Sequence, residues 1–342
     1  MGVDLSELVP RKTVELQALP KEGIAIDGNN ALYQFLTVIR QPDGTPLMNT
    51  RGQITSHLQG LFYRTINFIE LGLRPIYVFD GEVLPLKRQE IAKRSERREK
   101  AKEEAERAKE LGLYEEAYKK SVQAARLDKQ MVEQAKKLLQ LMGVPFVDAP
   151  FEGEAQAAKI VLDGKAYACV SQDYDSLLFG APRLIRNLTI SGKRKLPNKN
   201  EYIEIKPEII ELNQVLSTLG LERRQLIWLA ILIGTDYNPE GFPNIGPKTA
   251  LKLIKQYGTL QKVLEVKGLK PDFDLEAVEQ EFLNPHVKND YEIVWGNVQK
   301  DAIINYLCEE QDFSRERVEA ALQRLIKARS GGFQQTLEKW FS

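Results

Sequence analysis

GIAID at Gly23 to Asp27 and RPIYVFD at Arg74 to Asp80 are apolar, β-branched and aromatic runs that each end on an aspartate followed by glycine. They read as buried strands of a parallel sheet, because a strand covered on both faces is apolar throughout. Between them Leu58, Phe62, Ile66 and Ile69 recur at helical spacing and supply the crossover that a parallel pair requires. A third run, Ala166 to Ser171, again leads into acids, and LIRNL at Leu184 to Leu188 and YIEI at Tyr202 to Ile205 are expected to extend the sheet. Met131, Ala135, Leu138, Leu139 and Met142 mark one face of a helix that should stop at Gly143, a left-handed cap. The fold class is therefore α/β, a mainly parallel twisted sheet flanked by helices, with a mostly helical part from Pro207 onward.

The composition, 43% hydrophobic and 28% charged over 342 residues, is that of a soluble globular chain. No run approaches the roughly 18 apolar residues that cross a bilayer. The start, Met1-Gly2-Val3-Asp4-Leu5-Ser6, formally fits a myristoylation pattern, but no polybasic segment follows to add the second membrane signal. Nor do the first thirty residues hold the apolar core of a signal peptide. The expectation is a protein that is not secreted and has no membrane partner. Cys169 and Cys308 read as buried structural thiols rather than a disulfide framework. With only His57 and His286, any metal must be held by oxygen, which points to magnesium or manganese.

Acids gather where the strands end. Asp27 and Asp80 close two strands, Asp173 and Asp175 follow a third and point to the same side of an extended segment, and Glu152 and Glu154 precede the helical run AQAAKIVL. Asp236 follows the apolar helix Leu226 to Ile233. Singly, an aspartate at a strand end also serves as a cap or turn residue, and Glu152 and Glu154 also suit a helix dipole. Converging on the carboxyl edge of a parallel sheet, where ligands bind, seven acids would repel one another unless cations neutralise them.

Zero net charge, 48 basic against 48 acidic residues, hides local excess. Residues 86–128 are charged and alanine-rich, and from Lys87 to Lys102 there are eight basic residues and three acids. Lys87 and Arg94, seven apart, share a face if a helix starts at Pro85; the other reading is a solvated helix laced with pairs such as Glu90 and Arg94. Asn244 to Ala250, NIGPKTA, is a glycine turn into a helix start that presents amides to a phosphate, or else a simple capped turn. Tyr33 is by spacing alone a core aromatic.

In order and spacing, IDGNN at 26–30, VFDG at 78–81, FEGEA at 151–155, SQDYDSLLFG at 171–180 and GTDYN at 234–238 resemble the motifs of flap endonucleases of the archaeal and eukaryotic type. The likeness runs from Gly2 almost to Phe341. It implies that Asp27, Asp80, Glu152, Glu154, Asp173, Asp175 and Asp236 hold two magnesium ions, directly or through water, with manganese able to substitute. Lys87 and Arg94 would grip the scissile phosphate, Tyr33 would stack on an unpaired base, and Gly2 would be the mature N-terminus beside the active site. Gly246 and Lys248 would belong to a helix-two-turn-helix that binds duplex DNA, with a potassium ion. Gln334, Leu337, Trp340 and Phe341 fit the box that docks on a sliding clamp (PCNA).

The implied plan is one nuclease domain, residues 1–328, followed by a flexible clamp-binding tail, 329–342, beyond Ser330, Gly331 and Gly332. Within the domain lie an N-terminal region (1–85), a helical arch that threads the 5′ strand (86–128), an internal region with the helix-two-turn-helix (129–260) and a helical C-terminal part (261–328). The implied function is cutting of branched DNA at the base of a 5′ flap in replication and repair, with 5′-3′ exonuclease activity, by a monomer located in the cytoplasm of an archaeon or the nucleus of a eukaryote. A related 5′ exonuclease or junction resolvase would share the metal site. A catalytically silent clamp-associated scaffold would be expected to have lost acids, and here every acid of the pattern is present.

Overall fold

The computed structural model of the chain describes residues 2–41, 43–195 and 202–338. After a short strand β1 (Lys12–Thr13) comes β2 (Gly23–Asp27), buried from Ile24 to Asp27. The Asp27 carboxylate accepts from the Asn30 amide at 2.9 Å and so caps α1 (Gly28–Val38), where it satisfies one of the orphan donors of a helix start. Leu58, Phe62, Ile66 and Ile69 all turn inward on α2 (Ser56–Glu70), which leads to β3 (Arg74–Phe79). β2 and β3 pair in parallel with Ile24 beside Pro75 and Asp27 beside Val78, which is the strand–crossover–strand arrangement expected.

A 3-10 turn at Pro85–Lys87 opens the long charged helix α3 (Arg88–Glu110), which reverses at Gly112, φ 72°, into α4 (Tyr114–Gln123). Lys120 on α4 pairs with Glu104 on α3 at 2.5 Å, so residues 86–128 form a helical hairpin. The return helix is tied down as well: Arg40 donates to the Ser121 hydroxyl and the Gly44 carbonyl, each at 2.7 Å.

α5 (Lys129–Met142) is capped by Asp128 and stops at Gly143, φ 65°. There follow β4 (Phe146–Asp148), α6 (Gly153–Leu162), β5 (Ala168–Val170), the single turn α7 (Asp175–Leu178) and β6 (Arg183–Arg186). β7 (Gly192–Lys195), β8 (Tyr202–Ile205) and β9 (Glu208–Glu211) come next, and the rest is helical: α8 (Leu212–Leu219), α9 (Arg223–Ile233), α10 (Pro247–Tyr257), α11 (Leu260–Lys267), α12 (Leu275–Leu283), α13 (Lys300–Ile304) with a π turn at Asn305–Glu310, and α14 (Arg315–Glu338).

The chain forms two compact units, each drawn from three segments: Met1–Glu15, Asp80–Lys93 and Asp148–Asn289 in one, Leu16–Phe79, Arg94–Val147 and Asp290–Ser342 in the other. In the first unit β5 and β6 are parallel, β9 runs antiparallel on β6, and β1 lies antiparallel on β9. Leu178, Leu184, Ile185, Ile210, Leu226 and Ile231 fill its interior. The second unit holds β2 and β3 with α1 and α2.

Four expectations need correction. YIEI at Tyr202–Ile205 does not extend the sheet but pairs antiparallel with Gly192–Lys195 in a separate ribbon; its place is taken by EIIE at Glu208–Glu211, which the sequence reading passed over. The strand expected at LIRNL ends at Arg186, because Asn187 turns left-handed, φ 62°. Cys308 is only partly buried, as it sits in the π turn rather than on an apolar helix face. The glycine pair expected to act as a hinge is helical: α14, anchored by buried Val318, Ala321, Leu322 and Leu325, runs through Gly331 and Gly332 to Glu338. A helix already anchored absorbs the cost of about 1 kcal/mol per interior glycine.

Candidate active site

Six of the seven acids belong to the first unit, and local backbone chemistry sets each of them. Asp80 leaves β3 and accepts from the Gly153 amide at 2.7 Å. The next residue must be glycine, because a Cβ at Gly81 would stand 2.2 Å from the Ala149 carbonyl oxygen. Backbone bonds from Gly81 to Phe151 (2.8 Å) and from Glu82 to Pro150 (2.9 Å) then bind the VFDG and FEGEA segments side by side. Glu152 is the extended residue just before α6, and Glu154 lies in its first turn. Asp175 opens α7, 4% exposed, and accepts from the Val3 amide at 2.8 Å; Asp173 lies two residues earlier. Asp236 follows α9 in a turn held by Asn238, which accepts from the Thr235 hydroxyl at 2.7 Å and donates to the Ile231 carbonyl at 2.7 Å.

Lys87 stands among these carboxylates. Its ammonium is 2.6 Å from Glu152 Oε2, 3.3 Å from Asp236 Oδ2 and 5.0 Å from the ring centre of Tyr237. Burial by itself would favour the neutral amine, but Glu152 and Asp236 outweigh it and hold Lys87 charged. The acids are shifted the other way. Burial, followed by the nearby charges of Asp236 and Asp173, pushes Asp175 up to about 7. Dense surroundings raise Glu152 and Asp80 too, with Asp80 further raised by Asp236, although the Asp80 side chain remains open to solvent. Groups that repel in this way favour a cation or a proton between them.

Among the described residues no three acidic, histidine or cysteine side chains converge as a ready coordination shell. The donor set nevertheless fits magnesium. It consists of carboxylates alone, and magnesium keeps several waters and takes only one or two carboxylates directly, so a closed protein cage is not required. Glu152 and Asp236 already face a cation, the Lys87 ammonium, and Asp80, Asp173 and Asp175 are near enough to shift one another or Lys87.

The first residues complete this wall. A Cβ placed on Gly2 would come within 2.6 Å of all three carboxylate atoms of Asp175. Gly2→Ala must therefore displace a buried acid of the site, and the single-turnover DNA cutting that the family resemblance in the sequence implies is expected to slow by about 100-fold, the sensitivity of a reacting centre to misplaced groups. The melting temperature should hardly change, since Gly2 lies outside the interior. An unaltered rate would show that Asp175 tolerates the shift.

The structure places the other sequence candidates as follows. Asp27, Tyr33 and Arg94 belong to the second unit and are described there. Asp27 is 7% exposed at the carboxyl end of β2. Tyr33 is not a core aromatic: it is half-buried, and the Arg98 guanidinium of α3 lies 5.7 Å from its ring centre. Arg94 is half-buried on α3, one helix segment after Lys87. In the first unit Gly246 is the extended N-cap of α10, with Pro247 in the first turn. Lys248 is 81% exposed and pairs at 3.4 Å with Glu7. Gln334 and Leu337 lie on α14, whereas Trp340 and Phe341 lie outside the described residues.

Two features escaped the sequence reading. Lys252 and Lys255 join Lys248, with Leu251 and Gln256, around an open groove on α10; the spacing of four and three residues was a legible basic stripe. Tyr237, next to Asp236, is buried beneath Lys87 with a hydroxyl that has no hydrogen-bond partner among the described residues. The motif GTDYN contained it, but only packing distinguishes its ring from any core tyrosine.

Known proteins resemble the chain along most of its length. Models of the XPG N-terminal domain and the XPG I-region match residues 3–101 and 143–236. The chain is 54% identical over 341 residues to flap endonuclease 1 of Pyrococcus furiosus, covering all of this chain and 99% of that one. Flap endonuclease-1 from Methanococcus jannaschii has a similar structure, TM-score 0.77 at 40% identity, over 96% of this chain and 99% of the other. The catalytic core of Rad2 in complex with DNA substrate gives a TM-score of 0.68 at 25% identity, over 92% and 96%.

Proposed function

The chain belongs to the flap endonuclease family of XPG-type structure-specific 5′ nucleases, and from that membership and the site's geometry we propose that it hydrolyses one phosphodiester at the base of a 5′ flap in branched DNA. The observation that carries the reading is the pairing of Lys87 with two acids of the pattern: Glu152 and Asp236 contact its ammonium, and Asp80 and Asp175 are close enough to act on the same charge. Asp27, Asp80, Glu152, Glu154, Asp173, Asp175 and Asp236 would hold two magnesium ions, some through water. When bound, such ions activate a water for in-line attack and neutralise the leaving oxygen.

The remaining roles fall to the chain itself. Lys87 and Arg94 set positive charge against the phosphate as it gains charge. The hairpin of α3 and α4 receives the 5′ strand, Tyr33 offers a half-open ring to an unpaired base, and Lys248, Lys252 and Lys255 face duplex phosphates without reading sequence. A potassium ion at the Asn244–Gly246 turn belongs to the same reading. A labelled double-flap DNA incubated with magnesium should be cut at one position at the flap base. Cutting only from a blunt 5′ end, or only at a four-way junction, would replace this reading with that of an exonuclease or a resolvase.

The tail gives a separate test. Trp340→Ala removes one of the two largest apolar anchors proposed for the sliding clamp. It is expected to weaken clamp binding, measured by calorimetry, by about 30-fold, the equivalent of the roughly 2 kcal/mol of an interface anchor. Flap cutting without clamp should not change. Undiminished clamp binding would refute the box, and a fall in melting temperature would instead place Trp340 in the fold.

A further inference from the structure

We propose that Arg186, at the end of β6, is a positioning residue that holds the loop bearing Asp173 and Asp175 in the register needed to bind metal. The inference rests on the reading that these two acids are ligands. β6 pairs in parallel with β5, Val170 beside Ile185, so Arg186 stands one residue beyond the last pair, where the chain leaves β5 for the acidic loop. Its Nε donates to the Gln172 carbonyl at 2.9 Å, and Nη1 donates to the Tyr174 hydroxyl. The guanidinium also lies 4.2 Å from the centre of the Tyr174 ring, which is 2% exposed.

These contacts bracket Asp173 and reach the residue before Asp175. Gln172 and Tyr174 are the neighbours of Asp173, and Tyr174 is the cap residue immediately before Asp175. Within the loop the Asp173 amide also donates to the Ser171 hydroxyl at 3.2 Å. Arg186 is held from its other side by Glu208, its partner across the β6–β9 ladder, at 3.7 Å. Asp4, in the same N-terminal segment whose Val3 amide binds Asp175, is kept charged mainly by hydrogen bonds from Ser6, with a smaller contribution from the charge of Arg186. One planar fork thus ties a sheet strand to both neighbours of Asp173, the second of which is also the residue before Asp175. An ammonium could not match that arrangement, because it lacks the paired donors and the flat face.

The test uses the full chain and the variants Arg186→Lys and Tyr174→Phe, with three measurements beside the melting temperature. These are manganese binding by calorimetry without DNA, single-turnover flap cutting across a magnesium series, and flap-DNA binding in EDTA. Arg186→Lys is expected to weaken manganese binding by about 10- to 100-fold, the usual cost of losing a residue that orients metal ligands. The magnesium needed for half-maximal cutting should rise by the same factor, the rate at saturating magnesium should return to within a few fold, and DNA binding in EDTA should be unchanged. Tyr174→Phe, which deletes one acceptor and keeps the ring, should shift both metal measurements in the same direction by less, and it stands as the decisive variant if Arg186→Lys does not fold. A wild-type metal response in the folded variants would overturn the proposal and leave Arg186 as a packing residue. If the unaltered chain neither bound manganese nor cut the flap, the proposed function would fail first, so the two failures are distinguishable.

Discussion

Asp175→Asn is expected to slow single-turnover flap cutting by at least about 1000-fold, or roughly 4 kcal/mol of barrier, and at the same time to make the metal-free protein more resistant to heat. The two effects have one origin. Asp175 is buried near Asp236 and Asp173, which disfavour its charge, while its carboxylate accepts the Val3 amide. Asparagine keeps the acceptor and the volume and removes only the charge. An acid whose pKa is raised on folding, here from an ordinary carboxylate value to about 7, destabilises the native state progressively as pH climbs through that interval. Measured in EDTA, the melting temperature of the unaltered protein should therefore fall between pH 4 and 7 more steeply than that of Asp175→Asn, and the variant should melt higher at pH 7. Magnesium should raise the melting temperature of the unaltered protein and do much less for the variant. Full cutting by Asp175→Asn would remove Asp175 from the ligand set. A variant that melts lower in EDTA would mean that the Val3 contact, not charge repulsion, dominates at this position.

What could be read in the sequence divides along physical lines. Strand ends are local: GIAID and RPIYVFD carry their own apolar signature, and an aspartate that closes such a run can be placed without seeing its partners, as Asp27 and Asp80 show. Caps are equally local, so Gly143 was foreseen as the end of α5. Strand partners are not local. YIEI and EIIE are adjacent runs of similar composition, and nothing within either one says which joins β6 and which folds back on Gly192–Lys195. The order of the acids was legible through a resemblance, but the position of Lys87 among them was not, because a lysine at a helix start reads equally well as a solvated charge. Arg186 was overlooked for the same reason: its importance lies in what it bonds across the β5–β6 edge, and its own stretch reads as an ordinary strand.

Lys87→Ala is expected to separate two quantities that most active-site variants move together. The ammonium lies 2.6 Å from Glu152 and 3.3 Å from Asp236, with its side chain 15% exposed, so it serves as the counter-charge of acids that are also proposed to receive magnesium. Removing it leaves those carboxylates unneutralised, and one-sided loss of a buried pair costs about 3–5 kcal/mol. In EDTA the variant should accordingly melt well below the unaltered protein, and magnesium should recover much of the difference. Because the ammonium and a divalent ion compete for the same oxygens, the magnesium concentration giving half-maximal cutting should decrease in Lys87→Ala. The rate at saturating magnesium should nevertheless drop on the order of 100-fold, since a positive charge no longer meets the phosphate as negative charge builds on it. Arg94→Ala, whose side chain the family resemblance assigns to the same phosphate, should lose rate on the same order. Flap-DNA binding should change less than the rate in both, because contacts to many phosphates dominate affinity. If Lys87→Ala needed more magnesium rather than less, the ammonium would be organising the carboxylates instead of competing for them, and a normal rate at saturation would leave Lys87 as the structural counter-charge of Glu152 and Asp236 with no part in the transfer.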